Sequence, residues 1–137
     1  MKRSPLPSLT RSANGERVPD GGKLSARLST GEYAEKLARD FLKKQGLTTL
    51  ATRFRVNRGE IDLVMADGKT TVFVEVRYRS SPAFGGAASS ISRKKRQSLT
   101  RAASYWLALN PGSARFDVIA IDGEELEWIQ NAFSATP

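Results

Sequence analysis

Residues 58–79 read RGEIDLVMADGKTTVFVEVRYR. Glu60 to Met65 alternates charged and apolar at first and then turns apolar, and Thr71 to Arg79 alternates throughout. Period-two alternation of β-branched and aromatic residues marks a strand. Asp67-Gly68 lies between the two runs, and an Asp-Gly pair so flanked predicts a tight hairpin because both residues tolerate positive φ. A turn centred on Asp67-Gly68 sets Glu60 opposite Glu75 and Asp62 opposite Phe73. Side chains two apart share a face, so Glu60, Asp62, Phe73, Glu75 and Arg77 fall together.

Three carboxylates then crowd one patch, and like charges directly opposite destabilise a hairpin. One reading is a solvated polar face. The apolar neighbours on both strands argue instead for burial, and buried carboxylates need partners. Arg77 is one candidate for the neutralising cation and a divalent metal is another.

Composition narrows the chemistry. The 137 residues suit one domain that buries a core without staples. There is no Cys and no His. This excludes disulfides, thiol nucleophiles, histidine bases and nearly all zinc and copper sites. A metal here must be held by oxygen, which selects Mg²⁺, Mn²⁺ or Ca²⁺. The net charge of +8 implies a polyanionic partner. No run approaches the ~18 apolar residues of a transmembrane helix. The N-terminus carries Lys2, Arg3 and Arg11 without an apolar segment, unlike a secretory signal. The lack of cysteine is compatible with a cytoplasmic location.

Working outward, residues 1–28 are rich in Pro, Ser, Gly and Arg and carry +4, from six basic and two acidic residues. They read as a disordered or loosely ordered basic arm. A single domain is expected over 29–131, followed by a short tail at 132–137. Ser29 and Glu32 form a capping box before a helix that ends at Gly46. Ala34, Leu37, Ala38, Phe41 and Leu42 line its buried face, with Glu35 at the edge and Glu32 pointing away. Leu47 to Val56 reads as a strand, completing a three-strand antiparallel meander with the hairpin.

Ser80 to Ser90 reads as a loop whose Phe84 either packs the loop down or stacks on a base. Ser92 caps a second helix over about Arg93 to Leu109. Its first turn is Arg93-Lys94-Lys95-Arg96, and cations there oppose the helix dipole unless an anion is near. No acid occurs between Val76 and Phe116. With Arg77, Arg79, Arg101 and Arg115, these cations read as a phosphate-backbone footprint. Arg115 to Ile121 is a buried central strand, and Glu124 to Ile129 a short edge strand.

The order helix, three-strand meander, helix, strand resembles the PD-(D/E)XK, or restriction-endonuclease-like, nuclease superfamily. This implies an α/β fold in which two main helices flank a mixed sheet. The chain is more closely similar to the YraN family of bacterial proteins, which resemble archaeal Holliday-junction resolvases. The residues that carry the likeness are Gly31-Glu32-Tyr33-Ala34-Glu35, Gly59-Glu60-Ile61-Asp62-Leu63, Phe73-Val74-Glu75-Val76-Arg77-Tyr78-Arg79, Phe84-Gly85-Gly86 and Arg115-Phe116-Asp117-Val118. The resemblance implies Glu35 as the helix acid, Asp62 and Glu75 as strand acids holding Mg²⁺ or Mn²⁺, and Glu60 as a supporting acid. Arg77 stands where the superfamily usually has Lys. Arginine cannot act as a general base, though it can hold a phosphate or stabilise developing charge.

The resemblance thus implies a Mg²⁺-dependent endonuclease acting on DNA, with branched DNA as a substrate class. Since a junction has two scissile strands, it also implies a two-fold homodimer. The alternatives are a non-catalytic nucleic-acid-binding module of the same fold, favoured by Arg77, and an adaptor that uses its basic face on a membrane or protein. Against the adaptor, the second helix gathers its cations in one turn instead of along a polar face.

Overall fold

The computed structural model describes residues 3–5 (backbone only), 30–79 and 91–134. In chain order the elements are β1 (Arg3–Pro5), α1 (Thr30–Lys44), β2 (Thr48–Val56), β3 (Gly59–Asp67), β4 (Thr70–Arg79), α2 (Arg93–Leu109), β5 (Ala114–Asp122) and β6 (Glu125–Phe133). The strands form one sheet in the order β1-β6-β5-β4-β3-β2. The β4–β5 pair is parallel and all the others are antiparallel. The result is an α/β architecture of two helices on a mixed sheet, compatible with the restriction-endonuclease-like class.

The helices cover opposite faces. Ala34, Leu37, Ala38 and Leu42 of α1 pack with Leu63, Met65, Val72, Val74, Ile119 and Ile121. Leu99, Ala102 and Ala103 of α2 pack with Ile61, Val64, Phe73 and Phe116. Alternation along β4 produces this split, with Val72, Val74 and Val76 on the α1 side and Phe73 on the α2 side.

Helix α1 ends as its sequence requires. Gly46 takes φ +99, its N–H donates to Lys43 O (3.0 Å), and Leu47 N–H donates to Leu42 O (3.1 Å), which is a Schellman motif. Ser92 caps α2, its side chain accepting from Lys95 N–H at 3.1 Å.

The structure corrects the hairpin register. The turn is Gly68-Lys69, not Asp67-Gly68. Asp67 pairs with Thr70, and Phe73 faces Val64 instead of Asp62. Gly68 takes φ +61 at the first central position, where a type II′ turn wants glycine. The slip is two residues, so Leu63 to Asp67 keep their faces, whereas a one-residue slip would have inverted them. Before Leu63 the strand turns over, which sets Glu60 on the α1 side and not on the face of Glu75. The last strand is also longer than expected. It runs to Phe133, and Arg3–Pro5 pairs against its outer edge. The rest of the basic arm, Ser29, the loop with Phe84, and residues 135–137 lie outside the described residues.

Candidate active site

The β3–β4 ladder ends at Leu63–Val74. Beyond it β3 stays paired with β2 as far as Gly59, and β4 stays paired with β5 as far as Arg79. The sheet therefore forks, and continuing the observed register sets Asp62 opposite Glu75 across the opening. Asp62 Oδ2 accepts the Val76 N–H at 2.8 Å, taking the place of the missing ladder bond.

The backbone turns over at this point. Ile61 packs on the α2 side, yet Leu63, two residues on, packs on the α1 side. Residues two apart in a regular strand share a face, so β3 twists at Asp62. Across from it Arg53 takes φ +51, between the paired residues Thr52 and Phe54. A left-handed non-glycine residue costs about 1–2 kcal/mol. The matched irregularity keeps Phe54 on the same side as Ile61 while Asp62 is turned into the fork.

Glu75 is buried, and its place between Val74 and Val76 puts it on the α2 side. Burial, and next the adjacent Asp62 carboxylate, push its pKa up to about 8, opposed by the Lys95 and Arg77 charges. Its Oε1 is buried with no hydrogen-bond partner among the described residues. Lys95 Nζ, from the first turn of α2, lies 3.6 Å from Oε2. Lys95 is thus the cation that ion-pairs with Glu75. Arg77 is half-buried two residues along the same strand and acts on Glu75 through its charge.

Glu35 approaches from the opposite side of the sheet. Its carboxylate accepts Arg53 Nε at 3.1 Å, and Arg53 also bridges to Glu32 Oε2 at 3.1 Å. Glu32 therefore joins an ion triad as well as standing in the first turn of α1. Burial raises the pKa of Glu35, the Arg53 bond lowers it, and the Asp62 charge raises it further. Glu60 is held by Arg55 at 3.1 Å. Asp62 and Glu75 thus come together at the fork, with Glu35 and Glu60 beside them and engaged by arginines. Among the described residues no three acids converge as a metal-binding group.

The donor set of Asp62 and Glu75 nevertheless suits Mg²⁺ or Mn²⁺. Mg²⁺ is commonly held by one or two carboxylates, with waters and substrate phosphate completing its shell. A cation at the pair would give the orphaned Oε1 a partner and offset the burial and the Asp62 repulsion that raise the pKa of Glu75.

The four cations that open α2 diverge. Lys95 turns to Glu75. Arg96 donates to Ile91 O at 3.2 Å and lies over the Phe133 ring, 5.9 Å from its centroid. Arg93 and Lys94 are exposed, and Arg79 is half-buried at the end of β4. Lys94 faces a groove shared with Arg101, also part of the expected footprint, and with Arg58, which lies outside it, while Arg115 turns to Asp67 and Asp117.

Gly59 allows this arrangement. A Cβ built on it would lie 2.7 Å from Ala102 N and 2.8 Å from Ser98 O. Only glycine lets the start of β3 approach the α2 backbone so closely. That contact seats the helix from which Lys95 reaches the fork.

Residues 34–121 match the model of "Uncharacterised protein family UPF0102". The chain belongs to the UPF0102 family. It is 62% identical over 103 residues to a UPF0102 protein of Halorhodospira halophila, covering 75% of this chain and 85% of that one. To the UPF0102 protein YraN of Salmonella arizonae it is 47% identical over 126 residues, covering 86% and 96%. A UPF0102 protein of Serratia proteamaculans is 53% identical over 110 residues, covering 77% and 94%. The UPF0102 match takes in the Asp62–Glu75 fork, Arg77 and the first turn of α2. No described helix is long and apolar enough to cross a membrane.

Proposed function

We propose that this UPF0102 protein is a Mg²⁺- or Mn²⁺-dependent endonuclease that hydrolyses phosphodiesters in DNA. Branched, four-way-junction DNA is its substrate class, the cytoplasm its place of action and a homodimer its working form. The observation that carries the reading is the buried Glu75 carboxylate set beside Asp62, with Oε1 unpartnered among the described residues. Such a pair is costly in an apolar setting, and an oxygen-seeking cation offsets that cost. Asp62 and Glu75 would hold the ion, with Asp62 oriented by the Val76 N–H. A divalent cation bound there supplies Lewis-acid polarisation of the phosphate and lowers the pKa of a coordinated water. Lys95 and Arg77 offer positive charge to the phosphate oxygens as charge builds up in the transition state. Arginine cannot serve as a general base, so no proton transfer is assigned to Arg77. Glu35, tied to Arg53, adds a carboxylate close enough to Asp62 to feel its charge from the α1 side.

The specific observation favouring a second reading is Arg77 itself, since a site with no strand lysine fits a module that grips DNA without cutting it. Incubation of a labelled four-way junction with the purified protein separates the two. The nuclease reading expects cleavage in Mn²⁺, none in EDTA, and none with Glu75→Ala, which still binds the junction. Binding without cleavage by the wild type supports the second reading. Cleavage that persists in EDTA or in Glu75→Ala contradicts the metal site.

A further inference from the structure

We infer that Arg58, Lys94 and Arg101 form a phosphate-binding groove for the DNA strand beside the carboxylate fork, joined to it through Lys95. This deepens the nuclease reading and rests on it for the identity of the strand. The groove measures about 540 Å³ and runs between α2 and the β2–β3 turn. Lys94, Gln97, Ser98 and Arg101 stand at i, i+3, i+4 and i+7, which is one stripe of a helix. Arg58 meets that stripe from the turn, where Asn57 and Arg58 take φ +44 and +66. Among the described residues the remaining lining is hydroxyl and amide, with neither an acid nor a large apolar side chain. Like charges gathered this way repel one another, and a bound anion removes the repulsion. Lys95 also lines the groove while its Nζ reaches Glu75, so a strand lying in the groove passes directly to the fork.

Nucleic acid fits better than a lipid surface. The site is concave, and its described residues include none of the large apolar side chains that bury among acyl chains when a protein lies on a membrane. Phosphate contacts of this kind set the register of a strand without reading its sequence.

The test is binding of a fluorescent DNA duplex in EDTA across a salt series, so that cleavage plays no part. Arg58→Ala/Arg101→Ala is expected to weaken binding at least tenfold. It should also flatten the log affinity against log salt slope by about 0.9 for each phosphate that the protein no longer neutralises. Lys43→Ala/Lys44→Ala removes the same charge from the far end of α1 and should leave that slope unchanged. In the wild type, phenylglyoxal labelling of Arg58 and Arg101 should be blocked by the duplex, a readout that needs no variant to fold. Wild-type affinity and slope in the arginine variant, or labelling unaffected by DNA, overturns the groove. So does binding to phosphatidylserine vesicles through these arginines with no binding to DNA. Protected arginines with no cleavage in Mn²⁺ would leave the groove standing and remove the catalytic reading.

Discussion

Lys95 Nζ lies 3.6 Å from Glu75 Oε2, joining the first turn of α2 to the middle of β4 across twenty residues of chain. The contact explains how an acid-free, cation-rich helix start is tolerated. Lys95 faces a buried carboxylate, Lys94 lines the groove with Arg58 and Arg101, and Arg96 turns to Ile91 O and the Phe133 ring. It also leaves Glu75 poised, because burial and Asp62 favour the protonated form while Lys95 opposes them.

That balance predicts a pH dependence. Glu75 has an ordinary value near 4.5 when unfolded and about 8 when folded. Between these values the folded state binds more protons, so stability falls as pH rises from about 4.5 to about 8, by at most about 1.4 kcal/mol per unit. Melting temperatures measured from pH 5 to 9 should decline in the wild type and flatten over that window in Glu75→Gln. Lys95→Met should deepen the decline. A wild-type profile as flat as that of Glu75→Gln would show that Glu75 does not titrate there.

Gly59→Ala should destabilise by about 1–3 kcal/mol, the usual cost of overpacking. Its methyl would press on backbone atoms of α2 at 2.7 and 2.8 Å, which cannot yield as a flexible side chain would. Urea denaturation measures the change. An unaltered midpoint would mean that β3 and α2 are not so closely apposed.

The strands and helices were legible because alternation and caps are local signals. The apolar stripe of α1, Gly46 and the Ser92 cap all act where the sequence places them. The hairpin register was not fixed by those signals, since Asp67-Gly68 and Gly68-Lys69 both offer a turn glycine. The two-residue slip left Leu63 to Asp67 on their expected faces and changed what lies opposite each of them, while Asp62 meets Glu75 where β3 turns over. Nothing in a run of Thr and Arg announces that Arg53 adopts φ +51, because the surrounding packing imposes it. The meeting of Lys95 with Glu75, and of Arg58 with Arg101, depends on how α2 docks. The signal for that docking was Gly59, whose close approach to the α2 backbone no local sequence pattern announces.

Asp117 should prove structural. It is fully buried and accepts from Arg115 Nε (3.0 Å), Trp128 Nε1 (2.9 Å) and the Asn131 N–H (2.9 Å), tying β5 to β6 at their register shift. Asp117→Ala strands these donors and should cost about 3–5 kcal/mol, as breaking a buried ion pair does. Urea midpoints of the two proteins give the comparison. A loss under about 1 kcal/mol would contradict the pinning role.

The most direct measurement of the metal centre is Mn²⁺ binding by electron paramagnetic resonance at pH 8. One site per chain is expected in the wild type. It should be lost in Asp62→Asn and in Glu75→Gln, and kept in Glu35→Gln, whose carboxylate is held by Arg53. Its affinity should fall as pH drops below 8, because the ion must displace the Glu75 proton. No bound Mn²⁺ in the wild type, or a site that survives both Asp62→Asn and Glu75→Gln, would contradict the assignment of these two carboxylates as a metal centre.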